Sequence, residues 1–249
     1  MSNLEKWLKM DEYVDRDHPH IFHKDYWPIR AVRQTVIDFT RQYGPELKGQ
    51  RALDFGAGDS PYIAHFNALD CELLRADLSP NDPKVLRIGA DGRVPVEDGS
   101  LAAVISTQVL EHVPDVQAYL REALRMLRPG GVFLLTTHGA WPYHAIPTDM
   151  RRWTVDGLQY ECEMAGFKVE KVITAVGVLA CATHLRARAI GAMLRGVPVL
   201  TLLRPLVYFL ANLRMGIEDF ITPQSAMKRH PEQVMLFARK PTGGETKTT

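Results

Sequence analysis

Two groups of residues in this chain have the types and spacing to do chemistry. The first is the run Leu53-Asp54-Phe55-Gly56-Ala57-Gly58-Asp59, which closes a short apolar stretch. Glycines there let the backbone pass close to a ligand, and a helix starting just beyond them offers unpaired N–H groups to polar ligand atoms. A dinucleotide loop of the GxGxxG kind needs a third glycine at position 61, and that residue is Pro61. Asp54, ahead of the loop, can face a cationic ligand group. Asp77 ends the next apolar run, where an acid can accept both hydroxyls of a ribose. Asp91, in Ala90-Asp91-Gly92, can accept from the exocyclic amine of a nucleobase.

The second group gathers around Thr136-Thr137-His138, Trp141-Pro142-Tyr143-His144 and Thr148-Asp149-Met150-Arg151-Arg152-Trp153. Aromatics beside Arg and Asp suit a sugar, with its apolar ring faces and hydroxyl edges. A hydroxyl acceptor must lose a proton as it reacts, and histidine is the side chain best suited to take it near neutral pH. His144 is the first candidate base. His112, in Glu111-His112-Val113, is the second, with capping or core hydrogen bonding as its alternative, and His138 stands similarly. Asp149 and Arg152 read equally as acceptor contacts or as an ion pair pinning a loop, with Trp141 and Trp153 as packing. His18, His20 and His23 are loosely spaced, with no cysteine or paired acid to complete a set, so no metal site is expected.

The elements that must position these groups alternate. A helix is expected from Trp27, with Pro28 in its first turn, Ile29, Val32, Val36, Phe39 and Tyr43 at helical spacing, and Gly44-Pro45 as its end. Tyr26, Trp27 and Arg30 read either as a lid or as core contacts. Strands are expected at 51–55, 72–76, 85–88, 101–106, 132–137, 167–175 and 234–239. Helices are expected at 61–68, at 116–127 (stopped by Pro129-Gly130-Gly131) and at 155–165 (capped by Thr154). Strands alternating with helices predict an α/β fold with a parallel sheet, and ligands of such sheets bind outside the C-terminal strand ends, where Asp54, Asp77 and Asp91 all fall.

LDFGAG, Asp77, ADGRVPVEDGS, STQVLEHVPD and LRPGGVFLLTTH, in this order, resemble the class I S-adenosylmethionine-dependent methyltransferases, closest to the type 11 subgroup. The resemblance covers roughly residues 50–175 and the last strand. It implies a seven-stranded Rossmann-like sheet with helices on both faces and an antiparallel final strand. It also implies S-adenosylmethionine as cofactor, with Asp54, Gly56, Ala57 and Gly58 around the methionine part, Asp77 and Leu78 at the ribose, Asp91 and Gly92 at the adenine, and Gln108 and Val109 lining the site. One departure is Ser60 in place of the usual third glycine of the loop. The pattern PYH…P.D..R.T..GL…AGF resembles methyltransferases of bacterial surface-polysaccharide gene sets. It implies His144, Asp149 and Arg152 at a sugar or glycan acceptor, on a surface glycan or its lipid-linked precursor. A small-metabolite O- or N-methyltransferase and an inactive cofactor-binding scaffold are the competing readings.

Composition fits this picture. Of 249 residues, 46% are hydrophobic and 24% charged, and the formal net charge is +1, which gives no support to nucleic-acid binding. The three cysteines are far apart and odd in number, which suits a reducing compartment, and the N-terminus has no apolar leader, so a cytoplasmic location is expected. The organisation read from the sequence is an N-terminal segment and helix (1–45), a core (46–176), a helical insertion (177–232), the last strand (233–240) and a disordered tail (241–249). Gly177–Gly216 carries Arg186, Arg188, Arg195, Arg204 and Arg214 and no acid. It reads as two helices broken around Gly196-Val197-Pro198 and again at Pro205, with Leu206, Phe209, Leu210 and Leu213 on one face. Such a segment either lies peripherally on the inner face of an anionic membrane or forms a homodimer interface or a cap.

Overall fold

The computed structural model describes residues 15–144, 148–197 and 199–243. Its seven strands are β1 (Arg51–Phe55), β2 (Glu72–Asp77), β3 (Leu86–Arg87), β4 (Leu101–Thr107), β5 (Leu127–His138), β6 (Lys168–Ala175) and β7 (Gln233–Arg239). The helices are α1 (Tyr26–Leu47), α2 (Ile63–Asn67), α3 (Val116–Met126), α4 (Val155–Met164), α5 (Val178–Arg195), α6 (Arg204–Ile221) and the short α7 (Gln224–Met227). The expected α/β class, element order and seven-stranded sheet are all present.

The sheet order is β3-β2-β1-β4-β5-β7-β6. β1 pairs in parallel with β2 and β4, β2 with β3, and β4 with β5. β7 runs antiparallel to β5. At one end Gly130 N–H donates to Lys240 O and Lys240 N–H to Gly131 O, and at the other Gly139 N–H donates to Glu232 O, each at 2.9 Å. The central strands are buried on both faces, as continuous apolar runs such as Leu101–Ile105 require.

Two local expectations are corrected. Helix α1 does not end at Gly44-Pro45 but runs through Pro45 to Leu47. Leu47 and Tyr43 are both buried in the core, and that apolar burial outweighs the hydrogen bond Pro45 cannot donate. Arg128–Gly131 does not lie between a helix and a strand but inside β5, at a register irregularity between the Leu101 and Ala103 pairings. Gly130 takes φ +77° there, which is why a Pro-Gly-Gly run can sit in a strand as a bulge. The other boundaries agree to within two residues. Thr154 caps α4, its Oγ1 accepting from Gly157 N–H at 3.0 Å, and Asp115 caps α3 in the same way through Ala118 N–H at 2.9 Å.

The chain divides into two compact units. One comprises Gln34–His138, Tyr143–Ile173 and the chain from Val234 onward. Its core joins Leu53, Phe55, Val104, Phe133, Leu135 and Leu236 to Leu120 and Met126 of α3 and Leu158 and Cys162 of α4. The other comprises, among the described residues, 15–33, Gly139–Pro142 and Thr174–Gln233, around Val176, Ala180, Cys181 and Met215. In this second unit α5 and α6 pack on each other as a hairpin. The expected break at Gly196 is present, whereas Pro205 sits in the first turn of α6, where a missing N–H costs nothing, and does not interrupt it. Residues 1–14 and 244–249 and the position of Pro198 lie outside the described residues, as do the first part of the N-terminal segment and most of the expected tail.

Candidate active site

The site is built at the C-terminal ends of β1, β2, β4 and β5. Chain leaving β1 turns through Gly56 (φ +85°) and Gly58 (φ +51°), conformations that favour glycine. Gly56 and Ala57 N–H groups both donate to Ala76 O at 2.9 Å, fastening the loop to the end of β2. A Cβ at Gly56 would lie 2.6 Å from Cγ2 of Val109, so the loop and the turn after β4 are in direct contact. Beneath them Tyr119 of α3 stacks on Phe55 with ring centroids 4.1 Å apart, and its hydroxyl donates to Phe55 O at 2.9 Å.

Asp77 stands at the end of β2 as expected. Its Oδ2 accepts from Gly58 N–H at 2.9 Å, and Ser79 N–H approaches Oδ1 at 3.3 Å. Asp54 is buried, and its Oδ2 accepts from Ser60 Oγ at 2.9 Å. This contact explains the Ser60 departure. Ser60 takes φ +47°, the left-handed region where glycine is usual, and its hydroxyl bond to Asp54 offsets that strain. Burial pushes the Asp54 carboxyl up to about 7, despite the Ser60 bond. Asp54 Oδ1 and Gln108 Oε1 are buried without a hydrogen-bond partner. Gln108, at φ +57°, is held by Thr136, which accepts from its N–H at 2.9 Å through the carbonyl and from its Nε2 at 3.0 Å through Oγ1. Asp91 is exposed and folds back on its own turn, accepting from Arg93 N–H at 3.1 Å, with Gly92 at φ +80° between them. Leu78 is exposed.

These features fit a cofactor of the expected kind. Two buried acceptor atoms without partners, an open position beside Gly58 where an added Cβ would meet nothing within 4 Å, and carboxylates at two neighbouring strand ends form a cradle for a polar, partly cationic ligand.

The second group is a histidine cluster organised by Glu111. This carboxylate is fully buried; Oε1 lies 3.0 Å from His138 Nε2 and 3.9 Å from His112 Nε2, and Oε2 accepts from Thr137 Oγ1 at 2.9 Å. Burial opposes ionisation, but the hydrogen bond and charge of His138 outweigh it and hold the Glu111 carboxyl below its usual range. The rings of His112 and His144 are 5.7 Å apart, and Nδ1 of His112 contacts Thr148 O. Desolvation, then the like charge of His112, holds the His144 imidazole below its ordinary value.

Asp149 and Arg152 are brought together. Arg152 reaches both Asp149 oxygens, the Nη2–Oδ2 contact being 2.5 Å, and Oδ2 also accepts from His144 N–H at 2.7 Å. The pair thus fixes the backbone of the candidate base. Arg151 similarly donates to Pro114 O at 2.8 Å, and Trp153 N–H to His138 O at 2.9 Å. Glu111 is the functional candidate that residue types alone did not single out; its signal was an acid directly before His112. Residues 145–147, within the expected acceptor loop, lie outside the described residues.

In the other unit, Trp141 packs 5.5 Å from the His184 ring and under Arg188, which makes it a packing residue there. Trp27 donates from Nε1 to Asn212 O at 2.7 Å with Arg30 over its ring, the core-contact alternative to a lid. His18 bonds Asp15, and buried His23 accepts through Nδ1 from Asp25 N–H at 3.1 Å.

Comparison with known proteins gives a consistent result. Residues 29–172 match a family model described as a methyltransferase domain. The chain is 33% identical over 156 residues to a ubiquinone biosynthesis O-methyltransferase of Xanthomonas oryzae pv. oryzae, covering 57% of this chain and 62% of that protein. The chain therefore spans about three fifths of the length of the curated relatives it matches. Among solved structures, a Galdieria sulphuraria protein described as a sarcosine dimethylglycine methyltransferase aligns with TM-score 0.57 at 14% identity, over 86% of each chain. Haemonchus contortus phosphoethanolamine N-methyltransferase 2 aligns with TM-score 0.55 at 18% identity, over 97% of this chain and 61% of that one. At such identities the two structures speak for the fold alone.

Proposed function

The chain belongs to the methyltransferase-domain family, and from that membership we propose that it is an S-adenosylmethionine-dependent O-methyltransferase whose acceptor is a hydroxyl. The observation that carries the reading is the Glu111-anchored histidine cluster at the C-terminal ends of β4 and β5, with the glycine loop at the end of neighbouring β1. A nitrogen acceptor with a free lone pair needs no such base, whereas a hydroxyl does. The name of the Xanthomonas relatives supports the same reaction type.

When bound, S-adenosylmethionine supplies a methyl group activated by its sulfonium. Asp77 would accept from the ribose hydroxyls, Asp54 and Gln108 would face the polar methionine part, and Asp91 and Gly92 would meet the adenine edge. His144 removes the acceptor proton. Its lowered basicity keeps it unprotonated at neutral pH, the state a base requires. Asp149 and Arg152 act by positioning His144 through its backbone, and Glu111 by orienting His138 and His112. Direct displacement depends on alignment, which the hydrogen bonds to Glu111 and Asp149 favour.

For the acceptor, a small-molecule hydroxyl is the first reading. A sugar hydroxyl on a glycan or its lipid-linked precursor is the second. It is favoured by Tyr143, which is 81% exposed beside His144, and weakened by the engagement of Trp141 elsewhere. We place the enzyme in the cytoplasm. A labelled-methyl screen of phenols, sugar nucleotides and lipid-linked glycans, with mass spectrometry of products, tests this: an O-methyl ether supports the proposal, and an N-methyl product or none from every class refutes it.

A further inference from the structure

Helix α6 is amphipathic in an unusual sense. Its inward face holds Tyr208, Asn212 and Met215, with Asn212 Nδ2 donating to Ile21 O and His23 O at 2.7 and 2.9 Å. Its outward face, where a soluble helix carries polar residues, carries Leu206, Leu210, Leu213, Ile217 and Phe220, the last 90% exposed. This stripe extends about 21 Å along the helix. Met193, in the last turn of α5, and Val199, in the turn that follows, are also 76% and 74% exposed.

The exposed charges of this segment have one sign. Among the described residues from 178 to 230, every exposed Asp, Glu, Lys or Arg side chain is a cation: Arg186, Arg195, Arg214, Lys228 and Arg229. The acids of the same stretch, Glu218 and Asp219, are buried or half-buried, and Glu218 accepts from Arg214. Two of the arginines in this segment point elsewhere: Arg204 is buried, and Arg188 pairs with Asp25.

We infer that this face of the α5–α6 hairpin docks flat on an anionic lipid bilayer, the leucine stripe at the headgroup–acyl boundary and Arg186, which shares the outward side of α5 with exposed Leu179 and Ile190, at the phosphates. A bilayer supplies the negative charge that the face lacks. A second copy of the chain would instead bring the same cations together across a two-fold interface. No helix among the described residues is long and apolar enough to cross a membrane, so the hairpin lies on the surface. The inference is independent of the acceptor.

The test is co-sedimentation with vesicles of equal parts phosphatidylglycerol and phosphatidylcholine, against phosphatidylcholine alone. Binding is expected to the first, fading as salt is added. Arg186→Gln should weaken it roughly fivefold, the loss of one charge at the phosphates. Leu210→Gln with Leu213→Gln should weaken it as well, with circular dichroism and cofactor affinity unchanged. Absence of binding, equal binding to pure phosphatidylcholine, or a dimer that Leu210→Asp splits would each overturn the inference.

Discussion

The Glu111 carboxylate lies 3.0 Å from Nε2 of His138, with the carboxylate fully buried and the imidazole nearly so. A charge placed there is costly unless it is paired, and this one is met by His138 and Thr137 and lies beside His112. The pair fixes the orientation of the cluster from which His144 reaches outward.

Replacing Glu111 with Gln keeps the volume and removes the charge. Turnover is expected to fall about tenfold to a hundredfold, the usual cost of losing a carboxylate that orients a functional histidine. Glu111 also raises the basicity of His144 through its charge, so the acid limb of the pH–rate profile should move to lower pH in the variant. An unmoved limb with merely lowered stability would make Glu111 a structural residue only.

If Asp77 accepts from the ribose as proposed, Asp77→Ala should weaken S-adenosylmethionine binding about tenfold to a hundredfold, the cost of a lost charged acceptor. Titration calorimetry on the folded variant checks this, and unchanged affinity would remove Asp77 from the cofactor site. NADH should not bind. The Gly58 N–H that Asp77 now accepts marks how close loop and carboxylate already stand.

Much of this was legible in residue types. The order of strands and helices, the Thr154 cap and the placement of Asp54 and Asp77 at strand ends follow from local pattern. Ser60 is a departure from the usual third glycine in the loop, and the structure accounts for it by a positive φ joined to a bond to Asp54, a contact no local pattern encodes. Pro129-Gly130-Gly131 carries every mark of a turn, yet tertiary pairing with Lys240 makes it a bulge in β5. Trp141 reads either as one of the aromatics suited to a sugar or as packing, and its partners, His184 and Arg188, which decide for packing, come from far along the chain.

His184 gives a stability prediction. It is buried between Asp25, 3.1 Å away, and Glu232. Burial lowers its basicity, but the two carboxylates overcome that and raise it to about 9. A raised folded value means that the protonated histidine stabilises fully below its unfolded value near 6.5, and that this contribution is lost as pH rises through about 9. Chemical denaturation should show the protein losing on the order of 3 kcal/mol across that window. His184→Gln should be less stable at pH 6 and flat over the same range; a wild-type profile that is equally flat would rule the buried charge out.

On the proposed mechanism His144 takes the proton of a hydroxyl acceptor. Its lowered basicity predicts that wild-type activity holds through neutral pH and falls only below the ordinary histidine range, as the imidazole becomes protonated. The most direct measurement is the methyl-transfer rate of His144→Ala, taken beside its affinity for S-adenosylmethionine. We predict a rate lower by about 10²–10⁴ with affinity near that of the wild type. A His144→Ala protein that transfers methyl groups at nearly the full rate would contradict the claim, and if His112→Ala were then inactive the base would be His112.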